Sequence, residues 1–298
     1  MKIVVTGASG FIGKKLCYVL LEQGHEVVAL CRTRIATKSI QLDSYRHIPY
    51  VMGDLLPEEV VAFSPEALVH LAWDGIPDFS ERKCVDNLES QIRFLKQTES
   101  LNQLTKIVGA GTCREYGVKR GACIENDRIK PNSYFSWTKQ ALSEYLRISC
   151  QQRDVALVWF RIFYVYGPGQ RQESLIPNLI RTYKSNLYPE VKSPAAANDY
   201  VYIDDVVNAF VKAIDDEDCH GTFNLGSGIT TTVAEIVQIV ELMMQKESQF
   251  SDQHVQNRDE RKSNTGMWAD ITRSAHQLGW SPQINLVEGI KRSIMATT

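Results

Sequence analysis

The sequence lacks the long apolar run that a membrane-spanning helix requires. Among its 298 residues no stretch approaches the roughly 18 uninterrupted apolar residues of such a helix. The first residues pass directly into a strand pattern, without the basic and apolar regions of a signal peptide. We therefore expect an unprocessed, cytoplasmic protein that does not bind membranes.

An excess of charge of either sign is also missing. Lysine and arginine number 33, aspartate and glutamate number 35, and the formal net charge is −2. Nucleic acids and anionic lipid surfaces are bound through clustered positive charge, so the composition argues against both as partners. Small molecules or a second subunit are the expected partners.

Neither the cysteines nor the histidines have the spacing of a metal site. The seven cysteines include no Cys-x-x-Cys pair, and the six histidines are equally dispersed. An odd, scattered set of cysteines also argues against a disulfide framework. We expect free thiols in a reducing compartment and no bound metal.

Short apolar runs alternate with longer amphipathic stretches along the first part of the chain. These runs predict strands at Ile3–Val5, Val27–Leu30, Tyr50–Met52, Ala67–Leu71, Lys106–Gly109 and Ala156–Arg161. The clearest helices are predicted at Val85–Ser100 and Ser133–Gln152. This alternation is typical of an α/β Rossmann fold, a doubly wound parallel sheet that binds ligands beyond the carboxyl ends of its strands.

The pattern changes after Tyr166, where a Gly-Pro-Gly turn, a helix from Leu175 and shorter elements follow. We predict a dinucleotide-binding Rossmann domain over residues 1–165, with a later contribution from about 199–227, and a smaller substrate-binding region over 166–298. Within that region the polar segment Gln245–Gly266 predicts a surface excursion, and a final helix is predicted near Leu286–Met295.

Three glycines near the N-terminus predict a dinucleotide-binding turn. They lie between the first strand and a helix predicted at Phe11–Glu22, although a turn that binds no ligand would have the same pattern. Gly7 allows a tight turn, Gly10 lets the backbone approach a pyrophosphate, and Gly13 lets the helix lie close to the strand. The free N–H groups of the helix N-terminus favour phosphate. The predicted phosphate-binding residues are Gly7, Ser9, Gly10, Phe11, Ile12 and Gly13.

The second strand, Glu26 to Cys31, ends without the acid that commonly holds the ribose of NAD. No aspartate or glutamate occurs between Val27 and Leu42, and Arg32 and Arg34 follow the strand instead. A guanidinium group suits the 2′-phosphate of NADP, so the sequence favours NADP over NAD. Two solvated loop arginines are the alternative interpretation.

Two further segments predict cofactor contacts. Asp54 follows the third strand and can accept a hydrogen bond from the adenine amino group or cap a helix, while Leu55 can pack against the adenine ring. Leu71 and Ala72 end the fourth strand, where small side chains admit the ribose and pyrophosphate. Both are also ordinary core residues.

Several motifs occur in an order that resembles one known family. They are the glycine turn, Thr112 before Tyr116-Gly117, a proline-led helix carrying Thr138-Lys139, Arg161 to Gly169, Asn198 to Asp205 and Phe223 to Gly226. Together they resemble the extended short-chain dehydrogenase/reductases of the NAD-dependent epimerase/dehydratase group. The Gly-Thr-Cys-x-Glu-Tyr-Gly motif looks most like the reductases of nucleotide-linked 4-keto-6-deoxy sugars. The resemblance implies NADPH-dependent reduction of a C4 keto group, in the synthesis of surface-polysaccharide precursors.

The resemblance also implies a catalytic Ser/Thr, Tyr and Lys, of which the chain keeps two. Thr112 and Lys139 match the family, and Lys139 would also bind the nicotinamide ribose. The residue four before Lys139 is Phe135, at the position of the family's tyrosine. Tyr134 is one residue earlier and points about 100° around the helix, so it cannot easily replace that tyrosine.

Three interpretations of Phe135 remain open at this point. It is an engineered Tyr→Phe substitution made to trap a complex, or a natural enzyme uses another acid such as Tyr164 or Cys113, or the chain is a binding protein that has lost its chemistry. Dehydration is disfavoured, because Cys113-Arg114 stands where the family's dehydratases have an Asp-Glu pair. The alternatives to a reductase are a nucleotide-sugar 4-epimerase and a catalytically silent NADP-binding sensor.

The implied substrate is a nucleotide-diphosphate sugar. Tyr164 stands at the family's asparagine and Asn198 at its arginine, so the contacts must differ from those of the 4-epimerases. Arg171 or Arg258 could bind the diphosphate, although each could also be a solvated charge. The implied substrate-binding residues are Thr112, Tyr164, Arg171, Leu175 and Asn178. The family habit of pairing the two long helices further implies a homodimer.

Overall fold

Twelve strands and nine α-helices make up the part of the chain that the computed structural model describes, residues 1–34, 43–248 and 266–297. The strands are β1 (Lys2–Thr6), β2 (Glu26–Cys31), β3 (Tyr45–Pro49), β4 (Ala67–His70), β5 (Lys106–Thr112), β6 (Gly121–Cys123), β7 (Ala156–Ile162), β8 (Tyr164–Tyr166), β9 (Ala197–Tyr202), β10 (Gly221–Leu225), β11 (Thr230–Thr232) and β12 (Met267–Ala269).

The helices cover both faces of the main sheet and much of the C-terminal part. They are α1 (Phe11–Glu22), α2 (Glu58–Phe63), α3 (Glu81–Gln97), α4 (Tyr134–Arg153), α5 (Leu175–Lys184), α6 (Ile203–Asp215), α7 (Val233–Met243), α8 (Thr272–Gln277) and α9 (Leu286–Ala296). No helix among these described residues is long and apolar enough to cross a membrane.

The central sheet has seven parallel strands in the order β10-β7-β5-β4-β1-β2-β3. The chain runs outward from β1 to β3, then returns to the other side of β1 and continues outward from β4 to β10. Thr6 of β1 lies beside His70 of β4 at this reversal. This strand order confirms the predicted Rossmann fold. Open α/β sheets bind ligands in the crevice at the carboxyl ends of the two strands where the order reverses.

Alternation along the strands divides the core between the two faces of the sheet. Ile3 and Val5 of β1 face α1 and α6, whereas Val4 faces α2, α3 and α4. The side chains on both faces are almost fully buried. Burial on both sides explains why the central strands read as continuous apolar runs in the sequence.

Most of the predicted elements are confirmed, and one strand is wrong. Helix α1 has the predicted bounds, and α3 begins earlier than predicted because Ser80 accepts a hydrogen bond from the Lys83 N–H. The third strand is Tyr45–Pro49 rather than Tyr50–Met52, and Val51 is 53% exposed. As the edge strand of the sheet it buries only Tyr45 and Ile48 and leaves the residues between and after them partly or fully exposed, so its apolar signal is weaker than that of the run that follows it.

A second, three-stranded sheet lies beyond the carboxyl edge, with the order β11-β9-β8. Strand β10 belongs to the central sheet and β9 to this smaller one, and a third pair joins β12 to β6. The division into a Rossmann domain and a substrate-binding region stays a prediction. The segment predicted as an excursion, Gln245–Gly266, lies mostly outside the described residues, and so does Arg258.

Asp199 ties the small sheet to the rest of the C-terminal part. Its buried carboxylate accepts hydrogen bonds from the N–H and hydroxyl groups of Ser227, at 2.6 Å each, and from the N–H groups of Gly228 and Ala269, at 3.0 Å each. The segment after β10 and strand β12 therefore both depend on this one side chain.

Replacing Asp199 by alanine should lower the free energy of unfolding by more than about 3 kcal/mol, because each buried donor left without an acceptor costs about 1–3 kcal/mol. Urea denaturation of Asp199→Ala and of the control Asp218→Ala, which changes an exposed carboxylate, measures this. Equal free energies of unfolding for the two variants would show that the hydrogen bonds to Asp199 do not stabilise this part of the chain.

Candidate active site

The glycine turn after β1 leaves no room for side chains. Gly7 has a φ of +66°, and a Cβ atom on it would lie 2.8 Å from the backbone N of Ala72. A Cβ on Gly13 would collide with the carbonyl oxygen of Gly7. Helix α1 begins at Phe11 with Gly10 at its N-cap, and no side chain caps it. The turn therefore has the tight geometry and uncapped helix terminus that a pyrophosphate requires.

The residues predicted to meet the adenine lie at the far end of the same edge. Leu55 is 86% exposed, so its side chain is open to a ligand. Asp54 is exposed beside it, and the helix-cap interpretation is wrong, because α2 begins at Glu58 with Pro57 at its N-cap. Leu71 and Ala72 follow β4 and are half-buried beside the glycine turn.

Arg32 does not stand alone after β2 but forms an ion pair with Asp74. One guanidinium nitrogen lies 2.9 Å from the Asp74 carboxylate, and Lys83 of α3 binds the other carboxylate oxygen. Asn87 fixes the backbone of Asp74 from both sides, at 2.8 and 3.0 Å. The hydrogen bond from Lys83 lowers the pKa of Asp74. Asp74 lies 42 positions beyond Arg32 in the sequence, so the pattern of residues directly after β2 does not reveal it.

Thr112 and Lys139 both lie at the carboxyl end of β5. Thr112 is the last residue of that strand, and Lys139 lies on α4 with its ammonium group 2.8 Å from the carbonyl oxygen of Ala110. The ammonium also lies 4.6 Å from the ring centre of Trp73. Burial lowers the pKa of Lys139 to about 8, and the negative charge of Glu115 opposes this shift.

Phe135 packs within a group of aromatic rings instead of presenting a hydroxyl. Its ring lies edge-to-face with Trp73, with centroids 5.1 Å apart, and 4.7 Å from that of Phe79. Tyr134 is 48% exposed, and its hydroxyl forms a hydrogen bond with Glu81 of α3, which raises the pKa of Tyr134. The two adjacent side chains thus point in different directions, as the helical geometry predicts.

A buried ion pair lies beneath Thr112. Glu115 is 1% exposed and accepts hydrogen bonds from the Thr112 N–H at 2.8 Å, from the Trp159 indole at 3.2 Å and from the Arg161 guanidinium at 3.1 Å. Arg161 also donates to the hydroxyl of Tyr116 at 3.1 Å. Burial raises the pKa of Glu115, opposed first by the charge of Arg161. Every partner is an N–H donor, as an ionised carboxylate requires.

His70 is a further buried group that the sequence analysis missed. Its two ring nitrogens lie 3.0 Å from the Thr6 hydroxyl and 3.0 Å from the Gln91 side-chain oxygen. Burial lowers the pKa of His70 to about 3, helped by the charge of Lys139. The ring is therefore neutral and joins β1, β4 and α3 at the crevice. The sequence indicates this residue only through its position, because a histidine at the end of an apolar strand lies at the edge where such sheets bind ligands.

Of the predicted substrate contacts, Tyr164 is the one that strand pairing relates to Thr112. Ile162 pairs with Thr112 across β7 and β5, and Tyr164 begins β8 two residues later. Arg171 is exposed on the segment before α5, Leu175 packs against the core, and Asn178 accepts a hydrogen bond from Arg181 at 2.9 Å. Thus only Tyr164 is placed beside the catalytic edge by strand pairing.

No cluster of three or more potential metal ligands occurs in the described part of the chain. All seven cysteines are buried free thiols. Burial raises the pKa of Cys113 to about 12, so this residue carries a protonated thiol at neutral pH. Its side chain packs in a small apolar cluster with Tyr116 and Phe163.

Residues 3–226 match the NAD dependent epimerase/dehydratase family, and the chain belongs to it. Curated relatives include the dTDP-4-dehydro-6-deoxyglucose reductase of Escherichia coli, which is 26% identical and whose alignment covers 98% of this chain and 96% of that protein. The UDP-glucose 4-epimerase of Mycolicibacterium smegmatis is also 26% identical, with 99% and 97% covered.

Among solved structures, MoeE5 in complex with UDP-glucose and NAD superposes with a TM-score of 0.83 at 25% sequence identity, covering 100% of this chain and 98% of that one. The UDP-glucuronic acid 4-epimerase from Bacillus cereus, which is 22% identical, is likewise a complex with the nicotinamide dinucleotide NAD. The comparisons support such a cofactor for the family, and leave the reaction of this chain to the chemistry of its own site.

Lys139 should lose its charge as the pH rises through about 8. Because the ammonium lies against the Trp73 ring, its deprotonation should change the tryptophan emission. A fluorescence titration should show a step near that pH, and Lys139→Met should abolish it. A step that persists in Lys139→Met, or its absence from the unmodified protein, would contradict this assignment.

Proposed function

We propose that the protein reduces the C4 keto group of a nucleotide-activated 4-keto-6-deoxy sugar with NADPH, in the synthesis of surface-polysaccharide precursors. One observation carries the proposal: Thr112 ends β5, and the ammonium group of Lys139 lies 2.8 Å from the carbonyl oxygen of Ala110 on the same strand. Glu115, the acid nearest to Thr112 in the sequence, is buried and fully hydrogen-bonded. This supports hydride transfer and argues against dehydration.

The residues present fit a dinucleotide. The glycine turn would hold the pyrophosphate, Asp54 and Leu55 the adenine, Leu71 and Ala72 the adjoining ribose and phosphates, and Lys139 the nicotinamide ribose. The indole N–H of Trp73, beside Lys139, is buried and has no hydrogen-bond partner among the described residues. A ligand oxygen would satisfy this donor. When bound, NADPH supplies the hydride.

Arg32 and Lys83 support NADPH rather than NADH as the cofactor. Two cations converge on the single anion Asp74 at the end of β2, so the group carries a net positive charge. The guanidinium of Arg32 is 67% exposed and available to a 2′-phosphate, whereas an acid alone would repel that group. Arg34 follows on the same segment and can add to the positive charge.

Replacing Arg32 by alanine should weaken NADPH binding by about ten- to a hundredfold, since a hydrogen bond to a charged group contributes about 1.5–3 kcal/mol. The affinity for NADH should hardly change, because NADH lacks the phosphate. Titration calorimetry of both cofactors measures this. Equal affinities of the unmodified protein for the two cofactors, or equal losses in the variant, would contradict the proposal.

The substrate would bind across the edge between β5 and the C-terminal part. Thr112 and Tyr164 would meet the sugar, while Leu175 and Asn178 would cover the base and Arg171 would pair with the diphosphate. We propose that residues 166–298 serve as the substrate-binding region, with β10 completing the sheet of the Rossmann domain.

A nucleotide-sugar 4-epimerase is the second candidate, favoured by the curated epimerase that aligns with 99% of this chain. The two reactions differ in the net consumption of the cofactor, because a reductase oxidises one NADPH for each sugar and an epimerase regenerates its cofactor in every cycle. Incubation with NADPH and a 4-keto-6-deoxy nucleotide sugar should consume the reduced nicotinamide, followed by its absorbance. Isomerisation of a nucleotide sugar without net consumption would identify an epimerase, and binding without either reaction would identify a silent sensor.

We also propose a homodimer formed by α3 and α4. These helices pack together, and α4 exposes Tyr134, Trp137 and Ile148 on one side. Exposed aromatic and aliphatic side chains aligned on a helix are typical of a subunit interface.

Sedimentation should show a dimer at micromolar concentration, and Trp137→Glu should yield a monomer because a charge would be buried in the interface. The control Val61→Glu changes an exposed apolar residue of α2 and should leave the dimer intact. A monomeric unmodified protein would contradict this proposal.

A further inference from the structure

Reduction of a ketone needs a proton donor, and Phe135 has none. The inference below rests on the proposed function, since it concerns the same reaction. The ammonium group of Lys139 already donates to the carbonyl oxygen of Ala110. Among the described residues, the phenol and thiol groups considered as donors are the side chains of Cys113, Tyr116, Tyr134 and Tyr164. Their surroundings differ enough to separate them.

Three of these four groups do not fit the role. Tyr134 points away from the site toward Glu81 of α3. Tyr116 is 2% exposed, and its hydroxyl donates to Asn224 at 2.7 Å while accepting from Arg161. Cys113 is buried in an apolar cluster, which raises the pKa of its thiol to about 12. None of them presents a free proton to a ligand.

Tyr164 differs in both position and partner. It is half-buried at the start of β8, two residues beyond the partner of Thr112 in the central sheet. Adjacent strands lie about 4.8 Å apart, so β5 and the chain leading to Tyr164 run side by side at the catalytic edge. Its hydroxyl forms a hydrogen bond with Arg114, which is two residues beyond Thr112 on the neighbouring segment.

We propose that Tyr164 is the proton donor of the reaction and that Arg114 is its positioning residue. The family pairs its catalytic phenol with a lysine ammonium, whereas this chain pairs the phenol of Tyr164 with the guanidinium of Arg114. The C4 carbon takes up the hydride supplied by NADPH, and the electrons of the carbonyl bond move to oxygen. That oxygen receives the phenolic proton of Tyr164, so the ketone is reduced to an alcohol while the nicotinamide is oxidised. The phenolate then regains a proton from water.

The charges around Tyr164 suit a donor. The groups that face it are Cys113 and Arg114 from the segment after β5 and Tyr200 from β9, whose ring centroid is 5.7 Å away. Burial raises the pKa of Tyr164, and the charge and hydrogen bond of Arg114 oppose this shift. The phenol therefore stays protonated at neutral pH, and it is a stronger acid than the product alcohol, so it can protonate the alkoxide that forms on the substrate.

The test compares single-turnover reduction and ligand affinity in matched variants. Tyr164→Phe should lower the rate by about 10²–10⁴-fold, the usual contribution of one general acid, with little change in nucleotide-sugar or NADPH affinity. The control Tyr200→Phe removes a neighbouring hydroxyl and should keep the rate. Arg114→Gln should lower the rate and Arg114→Lys should recover part of it, a rescue that a purely structural role would not show.

Phe135→Tyr separates this proposal from a missing acid at position 135. With Tyr164 as the donor, a second phenol should change the rate by less than about tenfold. A rise of about 10²–10⁴-fold, or an unchanged rate in Tyr164→Phe, would overturn the assignment of Tyr164 and leave the reductase proposal standing. An unmodified protein that binds both ligands and reduces no keto sugar would overturn the proposed function, and this assignment with it.

Discussion

The buried ion pair of Glu115 and Arg161 fixes the position of Thr112 at the carboxyl end of β5. Glu115 accepts from the backbone of Thr112, while Arg161 reaches on to Tyr116 and to the carbonyl oxygen of Glu125. Ion pairs of this kind cost desolvation, so their value lies in the geometry that they fix rather than in net stability. Removing either partner would leave a buried charge beneath Thr112, the residue that we propose meets the substrate. The same negative charge supports the ammonium of Lys139 in its buried position.

The reversal of strand order between β1 and β4 separates the candidate site into two parts with different chemical groups. On the β1 side, the glycine turn and the cations near Asp74 offer the backbone donors and positive charge that we propose bind the phosphates of the cofactor. On the β5 side, Thr112, Lys139 and Tyr164 provide the groups that would act on a carbonyl. His70 lies between the two halves as a neutral hydrogen-bonded ring, which keeps a second positive charge away from Lys139.

Local patterns in the sequence predicted much of the fold and only part of the site. Helix α1 could be placed to the residue, because glycine spacing and apolar periodicity are both local signals. The 100° offset of Tyr134 from Phe135 likewise follows from helix geometry alone. The pair of Glu115 with Arg161 and the contact of Arg32 with Asp74 join residues that are 46 and 42 positions apart, so no local pattern contains them. Strand β3 was misplaced because an edge strand carries the weakest apolar signal of the sheet.

The fate of the hydride tests the central claim most directly. The protein would be incubated with NADPH deuterated at the transferable position and a 4-keto-6-deoxy nucleotide sugar, and the product would be examined by mass spectrometry and proton NMR. The account predicts one deuterium at C4 of the product for each NADPH oxidised. A product without deuterium at C4, or an isomerised sugar formed while the cofactor stays reduced, would contradict it.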